Sequence, residues 1–418
     1  MDNKSNKRPE IKLFDILTAL LLALVFAVTV YTGSKMVPDV VFIEPNVWFD
    51  ADTSRVFNNM SSRPHHIWNE RSNIHPLFTL ITYPAVVLLK KLFSVDSMIA
   101  VKMIMVFVAF IWMFLMFILL RWIGCLLLDS FLLSLLAGVS ASMFYFIVPE
   151  TFGFGAVTIL MAFMFVIWSQ QKTLSSAWYV GINVITISMT LTNWMVGIFA
   201  TFVNLPFKKA GQIVAITFAV TTLLWSVQKY IFVTSRFFMD IAEEGMFIFY
   251  AGPGTPLYAT RAFFYHTLVM PEIYLVEETG RPQLPGMYTQ LSLPGSATVY
   301  GLCAVILWSL LLIYGIWTLF TLKDQIKFRL VLTSTFICQL LLHNSYGPET
   351  FLYSQHIIVI LVPIVALSFL TNMRKQALIV TFLLIPCVFI NNVMQFNKAV
   401  SFFEDQSQFD IKKVYPPR

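Results

Sequence analysis

Two aspartates one residue apart, Asp50 and Asp52, with a guanidinium three positions on at Arg55, are the residues best suited by type and spacing to do chemistry. A carboxylate can take the proton of an attacking hydroxyl, and Asp52 and Arg55 share a face if the segment is helical. An Asp-x-Asp pair can also recruit a divalent cation, so a cation at Asp50 and Asp52 is possible. A purely structural role is available too, because Asp52 ahead of TSRVFNNM would cap a short helix. The pair lies in a polar stretch, Asn46 to Leu77, that also holds His65, His66 and His75, three of the chain's six histidines. The sequence around it is almost entirely apolar. Such an island must sit in water at a membrane surface or line a cavity.

Other polar residues recur at the ends of apolar runs. His75-Pro76-Leu77 opens one of them. Proline there is ordinary helix-start punctuation, while a histidine just before it can offer a donor to a phosphate. Arg71 suits a phosphate or lipid headgroups, and His65-His66 beside Trp68 suits interfacial packing. Pro149-Glu150 falls where one run ends and the next begins. There Glu150 is either a second acidic site residue or a charge favourable to a helix start. His343 to Tyr353, with Gln355 and His356, forms a second dense patch. Glu349, Tyr353 and His356 are spaced to share a helix face; substrate binding and hydrogen bonding between helices both fit this group, with His343 and Tyr346. Arg236, Arg261, His266 and Arg281 in residues 233–296 are candidate phosphate or sugar contacts. Asn59-Met60-Ser61 matches a glycosylation acceptor by chance.

The elements that must position these residues are membrane helices. Of 418 residues, 58% are hydrophobic and 12% charged, and the mean hydropathy is +0.75. A soluble protein carries about 25% charged residues, so this is a polytopic membrane protein. The net charge of +6 then reports topology and headgroup contact, and nucleic acid is not implied. Cys125, Cys303, Cys338 and Cys387 fall inside apolar runs with no metal or disulfide spacing, as small packing residues do. The first run follows Lys4, Lys7, Arg8 and Lys12 but is too long for a signal peptide and lacks a cleavage site, so it is retained as a helix.

Runs of spanning length occur near 13–33, 98–120, 124–148, 153–170, 175–192, 193–207, 211–232, 297–321, 328–345, 352–371 and 376–394. The segment Pro76–Leu92 is short, holds Pro84 and ends in Lys90 and Lys91; charge bias decides that it does not cross. If it lies on the outer surface, Arg121, Lys172, Lys208, Lys209, Lys323, Lys327, Arg329, Arg374 and Lys375 all fall in cytoplasmic links, as the positive-inside rule requires. The expectation is about eleven spans with a cytoplasmic N-terminus. The organisation expected is a module at 1–232 with a catalytic first outer loop (34–102), an outer loop region at 233–296, and a variable module at 297–418.

The order of parts resembles the GT-C superfamily of polyprenyl-phosphate-sugar glycosyltransferases, in its aminoarabinose-transferase and protein O-mannosyltransferase branch. It has one span, an outer loop with an acidic pair entering a short helix, a surface helix opened by Pro-Leu, and a span ending at an outer acidic residue. Asp52-Thr53-Ser54-Arg55 stands near that family's first-loop acidic motif, and Asn73-Ile74-His75-Pro76-Leu77 near its Lys-Pro-Pro-Leu. The resemblance implies an all-α GT-C-like fold and Asp52 or Asp50 as general base. Glu150 would be the counterpart of a second outer acid, and the donor an undecaprenyl- or dolichyl-phosphate sugar used by inverting displacement. No cofactor is required on that reading. His75 replaces the family's lysine, which shifts the donor phosphate toward Arg55, Arg71, Arg236 or Arg261. The partners implied are the lipid donor, a glycan, lipid or protein acceptor, and membrane lipids, with the site on the extracytoplasmic side, as in a bacterial inner membrane. Two other classes remain open: a glycan polymerase or ligase built on arginines and a histidine of a late outer loop, and a transporter. The transporter would be expected to show internal repeats and mid-span charges, and neither is visible.

Overall fold

The computed structural model describes residues 11–63, 73–248, 255–276, 284–405 and 411–412. Its first half comprises α1 (Leu13–Met36), α2 (Thr53–Ser61), α3 (Phe78–Phe93), α4 (Ser97–Ile123), α5 (Leu127–Gly138), α6 (Phe152–Ser169), α7 (Ser176–Met189), α8 (Trp194–Phe202) and α9 (Phe207–Ile231). A long loop holding α10 (Thr255–Arg261) leads to α11 (Val299–Thr321), α12 (Ile326–Ser345), α13 (Ser354–Ala366) and α14 (Arg374–Ser401). Among the described residues, eight helices are long and apolar enough to cross a membrane, and shorter apolar helices occupy Leu127–Gly138, Ser176–Met189 and Leu191–Phe202. The shorter ones stand where runs at 124–148, 175–192 and 193–207 were expected. Together they give the all-helical polytopic bundle that the hydropathy requires.

Burial sorts the helices. The segment around α13 is almost wholly enclosed, α6 and α4 lie mostly inside, and α9, α11 and α14 leave most of their length outside. Outward residues on these peripheral helices are large and apolar, including Leu223, Trp317 and Phe382, which suits a lipid environment and not water. Pro76–Leu92 becomes α3, with Phe78, Thr79, Thr82 and Val86 turned inward. Lys90 in its last turn donates to Ser97 Oγ at 2.8 Å.

One run departs from expectation. Residues 124–148 do not form a single helix: α5 stops at Gly138 and Ala141–Tyr145 makes a 3₁₀ turn. The amides of Ala141 and Ser142 donate to the carbonyls of Leu268 (3.0 Å) and Thr267 (3.2 Å). The distant loop therefore satisfies backbone groups that a continuing helix would have satisfied internally. A small sheet stiffens the same end of the bundle. In it β1 (Tyr274–Val276) pairs antiparallel with β2 (Gly286–Tyr288) and parallel with β3 (Ile411–Lys412).

The two ends of the bundle differ in chemistry. At one, Arg121 Nε donates to Asp15 Oδ1 at 2.8 Å, Arg374 forks onto Asp129 at 2.9 and 2.8 Å, and Lys327 Nζ meets Asn204 Oδ1 at 3.1 Å. At the other gather Asp50, Asp52, His75, Glu150 and Glu349. Asp15 and Arg121 are both buried, and removing one member of such a pair strands the other charge. Asp15→Asn should cost about 3–5 kcal/mol, read as a lower unfolding midpoint in detergent; an unchanged midpoint would mean water reaches Arg121.

Candidate active site

The acidic pair is carried on an unusual turn. Asn46, Phe49 and Asp50 have φ of 62°, 47° and 61°, in the left-handed region that bulky side chains avoid. The surroundings over-determine this conformation. Trp48 and Phe49 are fully buried, Trp48 Nε1 donates to the Phe144 carbonyl at 2.8 Å, and Tyr145 Oη donates to the Phe49 carbonyl at 2.9 Å. The Met287 amide closes the turn from the side by donating to the Val47 carbonyl at 3.1 Å. Gly286 is required there, since a Cβ would come within 2.8 Å of the Asn46 carbonyl oxygen. With the aromatic residues locked inward, the turn presents Asp50 and Asp52 outward.

Asp52 sits at the N-cap position of α2, but its carboxylate caps nothing. It takes the guanidinium of Arg55 instead. Both side chains remain about two-fifths exposed, at 41% and 42%, so the pair stands at an accessible surface. The carboxylate of Asp50 accepts from Tyr288 Oη at 3.2 Å. The i,i+3 pairing is the one the spacing predicts.

Behind Asp52 lies a buried hydrogen-bonded chain. Glu150 Oε2 accepts from the Asp52 amide (3.2 Å), and Glu150 Oε1 meets the Thr151 amide (2.6 Å) and hydroxyl (3.0 Å). Thr151 Oγ1 is 3.1 Å from His75 Nε2, while His75 Nδ1 lies 2.6 Å from the Met189 carbonyl. That carbonyl can only accept, so Nδ1 carries a proton. Burial pushes His75 down to about 3, which keeps Nε2 unprotonated. The Thr151 hydroxyl must then donate to Nε2, and the contact with Glu150 is satisfied only when the carboxyl is protonated. Burial, reinforced by the charge of Asp52, independently raises Glu150 to about 7. His75 thus has both ring nitrogens engaged inside the wall, with no N–H left to meet a phosphate.

The other candidates fall into separate groups. Glu349 is fully buried and accepts from Thr289 N (2.8 Å), Thr289 Oγ1 (2.7 Å) and Gln290 N (3.0 Å); burial raises its carboxyl while these bonds oppose the shift. It clasps the strand that delivers Tyr288 to Asp50. Tyr346 Oη donates to Glu244. Tyr353 stacks on His343 at 4.3 Å and meets Phe152 edge-on at 4.8 Å. His356 packs on Phe152 and reaches Asn193 at 3.4 Å. His343 and His356 are thereby enclosed beneath the acids. Arg236 pairs with Asp240 at 3.3 Å. Arg261 lies over the Tyr258 ring and donates to the Gln290 carbonyl at 3.3 Å. His266 is wholly buried and held neutral by burial. Arg71, Arg281, His65, His66 and Trp68 lie outside the described residues.

Thr151, Tyr145, Tyr288 and Glu244 carry no motif and were not expected. Only Thr151, beside Glu150, offered a sequence signal.

No family model matches the sequence, and no curated protein matches it. Among solved structures, the apo oligosaccharyltransferase of Archaeoglobus fulgidus superposes with a TM-score of 0.53 at 12% identity, over 93% of this chain and 56% of that one. The chain has the GT-C fold. It spans a little over half the length of that neighbour, and at such identity the likeness concerns architecture alone. The chemistry must be argued from the site.

The site offers an accessible carboxylate next to a cation and, behind it, a carboxyl that burial raises to about 7. Among the described residues no three His, Cys, Asp or Glu side chains form a metal-ligand set. A cation on Asp52 would also have to displace Arg55. Among the described residues, Asp50 and Asp52 thus have no third ligand of these types grouped with them.

Proposed function

We propose that this protein is a membrane-embedded inverting glycosyltransferase that moves a sugar from a polyprenyl-phosphate donor to a glycan, lipid or protein acceptor. The observation that carries the reading is Asp52 paired with Arg55 on an exposed, rigidly held turn at the polar end of a GT-C bundle. Asp52 takes the acceptor hydroxyl proton as that oxygen attacks the anomeric carbon. The anomeric C–O bond breaks, and the electron pair leaves with the polyprenyl phosphate. A phosphodiester donor carries one negative charge and the released monoester carries another, which the Arg55 guanidinium is placed to stabilise. Asp50, held by Tyr288, shapes the acceptor side. The buried His343, Glu349 and His356 with the partly buried Tyr346 and Tyr353 support the floor on which substrates rest, and Arg236 and Arg261 of the outer loop region serve as further phosphate contacts. The natural setting on this reading is a bacterial inner membrane, N-terminus cytoplasmic and site periplasmic, serving envelope glycan such as lipopolysaccharide. The closest branch would be that of the aminoarabinose and protein O-mannosyl transferases.

A second reading is favoured by the neighbour, whose name states that it transfers oligosaccharide. On that reading the donor carries a preassembled glycan, as a polymerase or ligase would use. Purified protein offered a panel of radiolabelled polyprenyl-phosphate sugars and lipid-linked oligosaccharides separates the two. Turnover of monosaccharide donors supports the first; turnover of oligosaccharide donors alone moves the assignment to the second; consumption of neither sinks both. Because Arg55 already occupies Asp52, chelation of divalent metal should leave turnover within about twofold. Loss on chelation with rescue by manganese would show that Asp52 exchanges Arg55 for a cation.

A further inference from the structure

The end of the bundle opposite the acids holds a cavity of about 460 Å³ that the proposed chemistry does not use. It lies where the α6–α7 link, the α8–α9 link and the start of α12 converge. Its walls carry Lys172, Lys209 and Lys327 together with uncharged polar groups such as Gln170, Thr173 and Asn204, and no carboxylate lines it. Charge bias alone explains lysines at this end of the molecule. It does not explain their convergence: Lys208, Lys323 and Lys375 lie at the same end and stay outside the cavity. Lys327 is fixed in place by Asn204 Oδ1 at 3.1 Å, while Lys172 and Lys209 are exposed and form none of the described ion pairs. A concave, uniformly cationic site with several neutral donors suits a compact multivalent anion.

The rim identifies the source of that anion. Trp178, Phe207 and Ile326 are exposed, Phe207 by 81%, and each lies within two residues of a lining residue: Tyr179, Lys209 and Lys327 respectively. Exposed aromatic and aliphatic groups flanking lysines belong at the boundary between acyl chains and headgroups. A phosphate free in the aqueous phase would gain nothing from such a rim.

We infer that this cavity binds the phosphate headgroup of an anionic lipid in the leaflet opposite the candidate active site, with Lys172, Lys209 and Lys327 as its cationic contacts. Such a lipid would brace α6, whose first turn follows Thr151 and whose last turn ends at the cavity, about 27 Å away along its axis.

The test is native mass spectrometry of the full-length protein released from nanodiscs containing phosphatidylglycerol and phosphatidylcholine. One phosphatidylglycerol should be retained in preference to phosphatidylcholine. Each lysine near the surface is worth about fivefold in such binding, so Lys172→Gln, Lys209→Gln and Lys327→Gln combined should weaken retention on the order of 100-fold. The exposed double variant Lys172→Gln/Lys209→Gln, which leaves the Lys327–Asn204 bond intact, should lose on the order of 25-fold. Lys90→Gln/Lys91→Gln, at the other end, should lose nothing. Equal retention in all variants, or no preference for the anionic lipid, would overturn the inference. Displacement of the lipid by millimolar inorganic phosphate would overturn the lipid assignment in favour of a soluble anion. None of these readings requires sugar transfer, so they stand or fall apart from the proposed activity.

Discussion

Asp52→Asn should lower turnover about a thousandfold while leaving the folding midpoint nearly unchanged. General-base removal costs about 10²–10⁴ in rate, and asparagine keeps the shape of the side chain without its proton affinity. The structural cost is small because the Asp52–Arg55 pair is two-fifths exposed, and pairs of that kind contribute about 0–1 kcal/mol. Asp52 also makes no cap bond whose loss would unravel α2. Asp50→Asn is the comparison, since its carboxylate is held by Tyr288 and is expected to affect acceptor KM more than kcat. Steady-state transfer with both variants reads the split. Full turnover in Asp52→Asn would remove the base assignment, and a larger kcat loss in Asp50→Asn would transfer it to the neighbouring carboxylate.

What could be read from the sequence follows from the range of the forces involved. The apolar helices and the gathering of acids at one end depend on local hydropathy and charge; of the eleven runs expected to span, eight helices have spanning length among the described residues and three sites hold shorter apolar helices. The pairing of Asp52 with Arg55 was legible because it spans three residues of one helix. The partners that set the electrostatics were not. Tyr288 meets Asp50 across 238 positions, and Thr151 meets His75 across 76. Tyr145 reaches the Phe49 carbonyl only because α5 breaks at Gly138. No periodicity reports such contacts. The spacing of Glu349, Tyr353 and His356 suggested one helix face, but Glu349 is extended ahead of a 3₁₀ turn at Thr350–Tyr353 and only His356 lies on α13. It could not say that Glu349 would spend its oxygens on Thr289 and Gln290 backbone and hydroxyl groups. The left-handed turn at Phe49 and Asp50 is equally invisible, since aromatic packing and hydrogen bonds from residues distant in sequence enforce it.

The buried Glu150 gives the second large effect, and its sign is opposite to that of a salt-bridged carboxylate. Its folded value lies near 7 against an ordinary 4.5. Below pH 4.5 the group is protonated in both folded and unfolded chains, and its full contribution to stability is present. As pH rises through 4.5 the unfolded chain releases its proton while the folded chain keeps it, so stability falls until the folded group also ionises near pH 7. The window spans about 3 kcal/mol. His75, lowered to about 3 from 6.5, works at the other end: it favours folding above pH 6.5 and withdraws that support as pH drops toward 3. Glu150→Gln copies the protonated carboxyl, with its amide N–H donating to Thr151 Oγ1 and leaving the Thr151 hydroxyl to serve His75. The variant should therefore match wild type near pH 4 and exceed it at pH 8, with the acid-side loss from His75 retained. Thermal unfolding in detergent at pH 4, 6 and 8 measures this. Above pH 7 the wild-type site also gains a negative charge beside Asp52, where an anionic donor must approach. Donor KM should rise there in wild type and stay flat in Glu150→Gln. Identical pH profiles in the two proteins would mean that Glu150 is already ionised at neutral pH and that the Thr151 hydroxyl points toward it, away from His75.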